Sequence, residues 1–206
     1  MRGELCDEAI RLGRLLAELM PDEPEVRGLL ALMLLIDARR AARTTADGAL
    51  VRLADQDRSL WDEAKLDEGR AILRRLLRRD QPGPYQLQAA INAVHADPPP
   101  TDWHQIVALY DQLLAFTPTP VVRLNRAVAL AETDGPQAAL DEVDALDLDG
   151  YRLFHAVRAD LLTRLGRDAS QARAAALARA ENAVERRFLS AERPPPAPSR
   201  RSPPAA

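Results

Sequence analysis

The stretch "DWHQIVALYDQLLAFTPTPVVRLNRAVALAE", residues 102–132, contains two helical apolar patterns that a "TPTP" segment separates. In the first pattern, Trp103, Ile106, Val107 and Tyr110 have the spacing that brings side chains to one face of an α-helix. The prolines fall where the first pattern stops and the second begins. The stretch therefore predicts two helices joined by a short turn, the first of which offers an apolar face to its neighbour.

The same spacing fits the W-x2-[LI]-[GAV]-x2-Y pattern of the first helix in a tetratricopeptide repeat. Small residues in the following helix, Ala127, Ala129 and Ala131, allow that neighbour to approach closely. The segment "YRLFHAVRADLLTRLGR", residues 151–167, repeats the arrangement with Gly166 at the turn. Helix starts in the second half recur at roughly 30–35 residues, as in arrays of stacked helical hairpins.

We therefore predict an all-α fold of antiparallel helical hairpins, stacked as a tetratricopeptide-like, right-handed solenoid of about nine helices. Strand and hairpin signals are nearly absent. The predicted helices lie at about 4–20, 24–43, 58–79, 84–96, 102–116, 120–133, 136–147, 150–165 and 168–190. In the first of them we expect an inward stripe formed by Leu5, Ala9, Leu12, Leu16 and Leu19.

This helical-repeat domain is expected to span residues 1–192. The remainder, residues 193–206, is rich in proline and is expected to be a disordered tail.

Composition limits the function classes. The 206 residues are 47% hydrophobic and 29% charged, with a net charge of −3. Such a chain has no overall attraction to nucleic acid or to a membrane surface, and we expect it to bind neither directly. It contains no apolar run of the ~18 residues that a membrane span needs, and its start is acidic where a secretory signal would be apolar. We expect a cytoplasmic location in a bacterium.

Residues for catalysis or metal binding are sparse. Cys6 is the only cysteine and there are three histidines, so neither a multi-cysteine zinc site nor an internal disulfide is predicted. Nucleophile-elbow, Walker and dinucleotide-binding motifs are missing. We predict no catalytic residue, no metal and no cofactor, and expect the protein not to be an enzyme.

The most informative candidate site is the predicted helix at 84–96. Tyr85, Gln88, Asn92 and His95 form a stripe on it that is polar but uncharged, whereas ordinary solvent-facing stripes carry charges. We interpret this stripe as part of a groove that binds a protein partner. The alternative is a set of hydrogen bonds inside the stack. Asn125 and Arg126 of a later helix are expected to face the same groove.

A second candidate is the segment "DQDR", in which Asp55, Asp57 and Arg58 form a possible docking loop for a partner. The following residues do not complete a calcium loop, because Leu60 and Leu66 stand where glycine and glutamate are needed. The alternative is that the two aspartates cap the next helix.

Seven segments in order resemble the tetratricopeptide-like C-terminal extension of a group of extracytoplasmic-function (ECF) RNA polymerase sigma factors. The resemblance covers roughly residues 3–190, and the segments are "LCDEAIRLGRLLAELMPDEPEVRGLLALMLL", "DARRAAR", "DQDRSLWD", "GPYQLQAAINAVHA", "TDWHQIVALYDQLL", "PVVRLNRAVA" and "GYRLFHAVRADLLTRLGR".

The resemblance implies a regulatory domain that binds the sigma-factor core domains, RNA polymerase or a control protein, with a YCII-like protein as one candidate partner. It also implies sigma regions 2 and 4, the parts that read promoter DNA, which are absent from this chain and expected upstream of Met1. The alternative is a freestanding helical-repeat scaffold that binds a peptide or protein independently of transcription.

Overall fold

The protein is built from α-helices. A computed structural model describes residues 3–190, in which ten α-helices follow one another. They are α1 (Gly3–Leu19), α2 (Pro24–Asp37), α3 (Glu63–Leu77), α4 (Pro84–Ala96), α5 (Trp103–Phe116), α6 (Pro120–Thr133), α7 (Pro136–Asp144), α8 (Arg152–Arg164), α9 (Ser170–Ala178) and α10 (Ala183–Ser190). No β-strand occurs within residues 3–190, where Thr44 and Leu50 form only an isolated bridge. The all-α prediction is confirmed.

The helices pack in the order of the chain. The first packs on α2, α2 packs on both α3 and α4, and each helix from α4 to α9 packs on the next. Glycines allow the closest contacts of α2: a Cβ on Gly28 would lie 2.8 Å from the backbone nitrogen of Gln86, and one on Gly69 would lie 2.9 Å from Leu35. The serial packing agrees with the predicted stack of helical hairpins, whose right-handed sense stays a prediction.

Residues 102–132 fold as their pattern predicts. Asp102 caps α5 by accepting a hydrogen bond from the backbone N–H of Gln105 at 2.9 Å. Ile106 is fully buried, and Trp103, Val107 and Tyr110 pack around it. On α6, the three alanines at 127, 129 and 131 are all buried against neighbouring helices. The break at "TPTP" therefore separates two helices that bury each other's apolar faces.

A side chain of α2 caps the start of α4. Glu25, in the first turn of α2, accepts hydrogen bonds at the start of α4 from the backbone N–H of Tyr85 (2.7 Å) and the side chain of Gln86 (2.9 Å). The N-cap residue of α4 is Gly83, which has no side chain to supply this contact. The carboxylate of one helix thus satisfies free N–H groups at the N-terminus of another.

The predicted inward stripe of α1 is wrong. Leu5 is 62% exposed and Leu19 is 70% exposed, whereas the buried positions of α1 are Ile10 and Gly13. The reason is the short distance to α2: a Cβ on Gly13 would lie 3.4 Å from both Leu30 and Met33. A glycine lets the helices approach along a narrow seam, so the leucines are left outside it.

Several helix bounds also differ from the prediction, and the clearest differences have a structural reason. The second helix ends at Asp37 rather than near 43, because the carbonyl of Ala38 accepts from the backbone N–H of Asp62 instead of continuing the helix. The third begins at Glu63 rather than 58, with Asp62 as its N-cap. The predicted helix at 168–190 is two helices.

The break between α9 and α10 has a local cause. Asn182 accepts from the backbone N–H of Glu185, and the Glu185 carboxylate accepts in return from the N–H of Glu181. This reciprocal arrangement resembles a capping box and starts a new helix at Ala183.

The proposed tail at 193–206 lies outside the described residues, as does Met1. Among the helices of residues 3–190, none combines the length and the apolar character needed to cross a bilayer.

Candidate functional site

Within residues 3–190, a groove of about 840 Å³ is formed mainly by the second half of the stack. Helices α5, α6, α8 and α9 and the end of α4 supply its walls, and its rim is formed by the loop between α2 and α3 and by α10. Its floor is apolar and includes Ile106, Val128, Ala129, Val157, Leu161 and Ala176. We call this feature the groove.

Polar groups stand among these apolar side chains. The amide of Asn125 and the hydroxyl of Tyr110 line the groove, and neither has a hydrogen-bond partner within residues 3–190. Burial raises the pKa of the Tyr110 hydroxyl, so it remains a neutral donor at physiological pH. Glu132 and Arg164 form an ion pair of 2.7 Å on the wall. The groove thus presents free amide and hydroxyl groups beside an apolar floor.

One end of the groove is basic. Arg58 donates to the backbone carbonyls of His95, Ala96 and Asp97 at 2.8–3.3 Å, which satisfies the C-terminus of α4. Its guanidinium also lies 4.5 Å from the ring centre of Trp61. Arg52 lies on the same rim. These contacts hold Arg58 in place, and Arg52 adds a second cation at this end of the groove.

Arg39 lies behind this end and is only 7% exposed. Its Nη2 donates to Asn92 Oδ1 at 2.6 Å, while its buried Nε has no partner within residues 3–190. Desolvation lowers the pKa of Arg39 to about 10, and the charges of Arg43 and Arg58 add to the effect. Arg39 is therefore a buried cation whose nearest charged neighbours repel it.

His95 connects Arg39 to the groove. Burial, with a smaller contribution from the charge of Arg39, lowers the pKa of His95 to about 4. The ring packs edge-to-face against Trp103 at 5.4 Å. At neutral pH His95 is an uncharged, partly buried member of the groove wall.

The structure brings together only some of the candidate residues. His95, Asn125 and Arg58 all line the groove. Asn92 lies one helical turn before His95 and holds Arg39, while its Nδ2 donates to the carbonyl of Gln88. This matches the alternative of hydrogen bonds inside the stack.

The other members of the polar stripe lie elsewhere. Tyr85 is at the start of α4, where its N–H meets Glu25, and Gln88 is not among the groove residues. Arg126 does not line the groove either, because Asp111 (2.6 Å) and Glu142 (2.8 Å) pair with its guanidinium. A binding role for these three residues stays a prediction.

The candidate docking loop forms two short 3-10 helices. Asp57 caps the second of them, at Arg58–Leu60, by accepting from the N–H and the hydroxyl of Ser59. It does not cap α3. Asp55 is exposed at the end of the first, Leu53–Asp55. Partner docking by this loop stays a prediction, although Arg58 connects the loop to the groove.

Several residues that line the groove or lie behind it were not predicted from the sequence. Tyr110 and Trp103 appeared only as packing residues, and Arg39 and Arg52 not at all. The spacing of Tyr110 shows that it faces a neighbour, but no local signal shows that its hydroxyl meets a cavity. Within residues 3–190, no group of three or more His, Cys, Asp or Glu side chains is arranged to hold a metal ion.

Comparisons with known proteins extend these findings. Residues 1–77 match the model of a family described as a family of unknown function (DUF6596). The chain is 50% identical over 195 residues to an uncharacterized protein of Rhizobium meliloti (strain 1021). The match covers 91% of this chain and 46% of the relative, so the chain spans less than half of that protein's length. No solved structure matches the chain significantly.

Proposed function

We propose that this chain is a regulatory protein-interaction domain of an ECF-type sigma factor, and that the groove is the surface through which it binds. The partner is the sigma core, RNA polymerase or a control protein such as a YCII-like protein. The sigma-factor part rests on the resemblance of the seven sequence segments. It is compatible with a Rhizobium relative that has more than half of its length outside the match.

The observation that carries the binding role is the free Asn125 amide beside the apolar floor of the groove. An exposed side-chain amide both donates and accepts, so it can pair with the backbone of a bound segment. Apolar surface next to such groups supplies the non-directional part of the binding free energy. Amides, a hydroxyl and paired charges suit recognition of a protein segment.

The test uses a pair of variants on one helix. Val128 and Val121 both lie on α6 and are 42% and 37% exposed, but only Val128 lines the groove. Val128→Glu adds a charge to the apolar floor, so it should weaken capture of the true partner by roughly tenfold or more. Val121→Glu should leave capture unchanged.

The measurement is biolayer interferometry of the immobilised chain against core RNA polymerase and, separately, against the part of the Rhizobium relative outside the match. Circular dichroism confirms that both variants keep their helices. Failure of both ligands to bind would contradict binding to polymerase and to the sigma core, and would favour the freestanding scaffold. Equal binding by Val128→Glu and the unmodified chain would show that the groove is not the contact surface.

A further inference from the structure

The basic end of the groove has an unbalanced charge. We call Arg39, Arg43, Arg52 and Arg58 the basic corner. Within residues 3–190, none of these four guanidinium groups has a carboxylate oxygen within 4.0 Å, the limit for an ion pair. By comparison, Arg164 elsewhere on the groove wall is paired with Glu132. The basic corner therefore groups several cations without counter-charges at one end of the groove, whereas Arg173 elsewhere in the lining donates to the hydroxyl of Thr163.

The unpaired charge of the basic corner is unfavourable for the folded state, because one of its members, Arg39, is buried. A buried charge is expected to be paired, and Arg39 has only one neutral oxygen, that of Asn92, as a hydrogen-bond acceptor. The nearby charges of Arg43 and Arg58 disfavour its protonated form further. An anionic group at the mouth of the groove would be attracted by Arg52 and Arg58 directly and by Arg39 through the low-dielectric interior.

The groove also indicates which neutral groups can accompany that anion. The last helix, α10, extends along the rim, where the ring of Phe188 lies 5.5 Å from the guanidinium of Arg52 and Leu189 faces the cavity. The rim therefore already accommodates an aromatic and an aliphatic side chain. The floor beyond them is formed by Ile106, Val128 and Val157.

We infer that the groove binds a partner segment in which acidic residues adjoin large apolar residues. Its carboxylate pairs with Arg52 and Arg58 in front of Arg39, its apolar side chains cover the floor, and its backbone meets Asn125. This inference deepens the proposed function, since it concerns the same groove, but it names the partner's chemistry rather than its identity. The cations come from the α2–α3 connection and the end of α2, so the contact joins the two halves of the chain.

The experiment measures fluorescence anisotropy of labelled twelve-residue peptides with the full chain. The probe peptide alternates glutamate with leucine and phenylalanine, and two matched peptides carry glutamine or lysine in place of every glutamate. We expect the glutamate peptide to bind roughly tenfold more tightly than the glutamine peptide, and the lysine peptide most weakly. The difference should shrink as salt is raised from about 0.05 M to about 0.5 M.

Two arginine variants test whether the preference for the glutamate peptide arises at the basic corner. Arg52→Gln should reduce the ratio of the two affinities to about twofold or less, whereas Arg78→Gln, on the exposed end of α3, should leave it unchanged. Val128→Glu should weaken the glutamate and glutamine peptides alike. Equal affinity of those two peptides for the unmodified chain, or an unchanged ratio in Arg52→Gln, would overturn the inference.

The two proposals fail separately. If polymerase or sigma domains bind at the groove and acidic peptides show no preference, only the inference fails. If acidic peptides bind through Arg52 and no sigma-factor component binds at all, only the proposed function fails.

Discussion

At the scale of single residues, the surroundings of α4 lower the pKa values of two basic side chains. Arg39 stays protonated at neutral pH despite a pKa lowered to about 10, whereas His95 is neutral because its pKa is lowered to about 4. Neither lowered pKa could be predicted from the sequence, because both depend on burial and on the charges of arginines that are brought close by the fold. The sequence indicated only that His95 belongs to a polar stripe.

The neutral state of His95 makes the stability of the protein depend on pH. In the unfolded chain His95 takes up a proton near pH 6.5, whereas in the folded chain it does so only near pH 4. Because the unfolded state binds the extra proton first, acidification from 6.5 to 4 favours unfolding. We expect a loss of roughly 2–3 kcal/mol from this group alone.

The measurement is urea unfolding of the unmodified chain, of His95→Phe and of His104→Gln between about pH 7 and pH 4. Other groups titrate in this range, so the informative quantity is the difference between variants. His95→Phe keeps a ring against Trp103 and should lose stability less steeply on acidification, whereas His104→Gln, at an exposed site, should follow the unmodified chain. Parallel curves for all three proteins would contradict the lowered pKa.

At the scale of helices, the sequence predicts where most elements lie, because prolines and capping residues act locally. Pro120 and Pro136 begin α6 and α7 as predicted, and Asp102 caps α5. The errors occur where tertiary contacts decide. The stripe of α1 depends on the close approach that Gly13 allows, and α2 ends where Ala38 meets Asp62.

The cap that Glu25 provides to α4 is such a tertiary contact, and it predicts a measurable cost. Glu25→Ala removes the acceptor of two backbone N–H groups and of the Gln86 side chain. We expect the free energy of unfolding to fall by about 1–3 kcal/mol, because the two backbone N–H groups lose their acceptor, whereas the side chain of Gln86 keeps the carbonyl of Gln81. Chemical denaturation followed by circular dichroism measures it.

The matched control is Glu23→Ala. Glu23 lies two residues before Glu25, and its replacement removes the same charge. Glu23 is the N-cap position of α2 but makes no capping hydrogen bond with its side chain. We expect Glu23→Ala to lower the free energy of unfolding much less than Glu25→Ala does. If the two variants lose the same stability, the effect is one of charge and not of the cap.

At the scale of the whole molecule, the candidate site lies where the two halves of the chain meet. The sequence pattern identified the repeats of the second half, and with them the helices that form the groove walls. It did not indicate that the α2–α3 connection reaches the rim with Arg52 and Arg58, because long-range contacts of a non-periodic segment have no local signal. Residue spacing thus predicted the helices that form the groove walls but not which of their faces line it, and of the basic corner it singled out only Arg58, as part of a candidate docking loop.

The division into neighbouring units also predicts how the molecule unfolds. Leu35 belongs to a core cluster shared by α2, α3 and α4, whereas Leu140 belongs to a separate cluster of α6, α7 and α8. Because each helix contacts mainly its neighbours, stability should be close to a sum of local terms. Replacing either leucine with alanine should lower the stability by about 2–5 kcal/mol. We expect the loss to be confined to the half of the chain that contains the replaced leucine.

Hydrogen exchange followed by mass spectrometry shows whether each substitution destabilises only its own half of the chain. Leu140→Ala should speed the exchange of amides in α6–α8 much more than in α2–α4, and Leu35→Ala should do the reverse. Each variant serves as the control for the other, since both remove the same side-chain volume from a buried site. Equal acceleration in both halves would mean that residues 3–190 unfold as one cooperative unit, and a partner bound in the groove would then stabilise the whole chain instead of the second half alone.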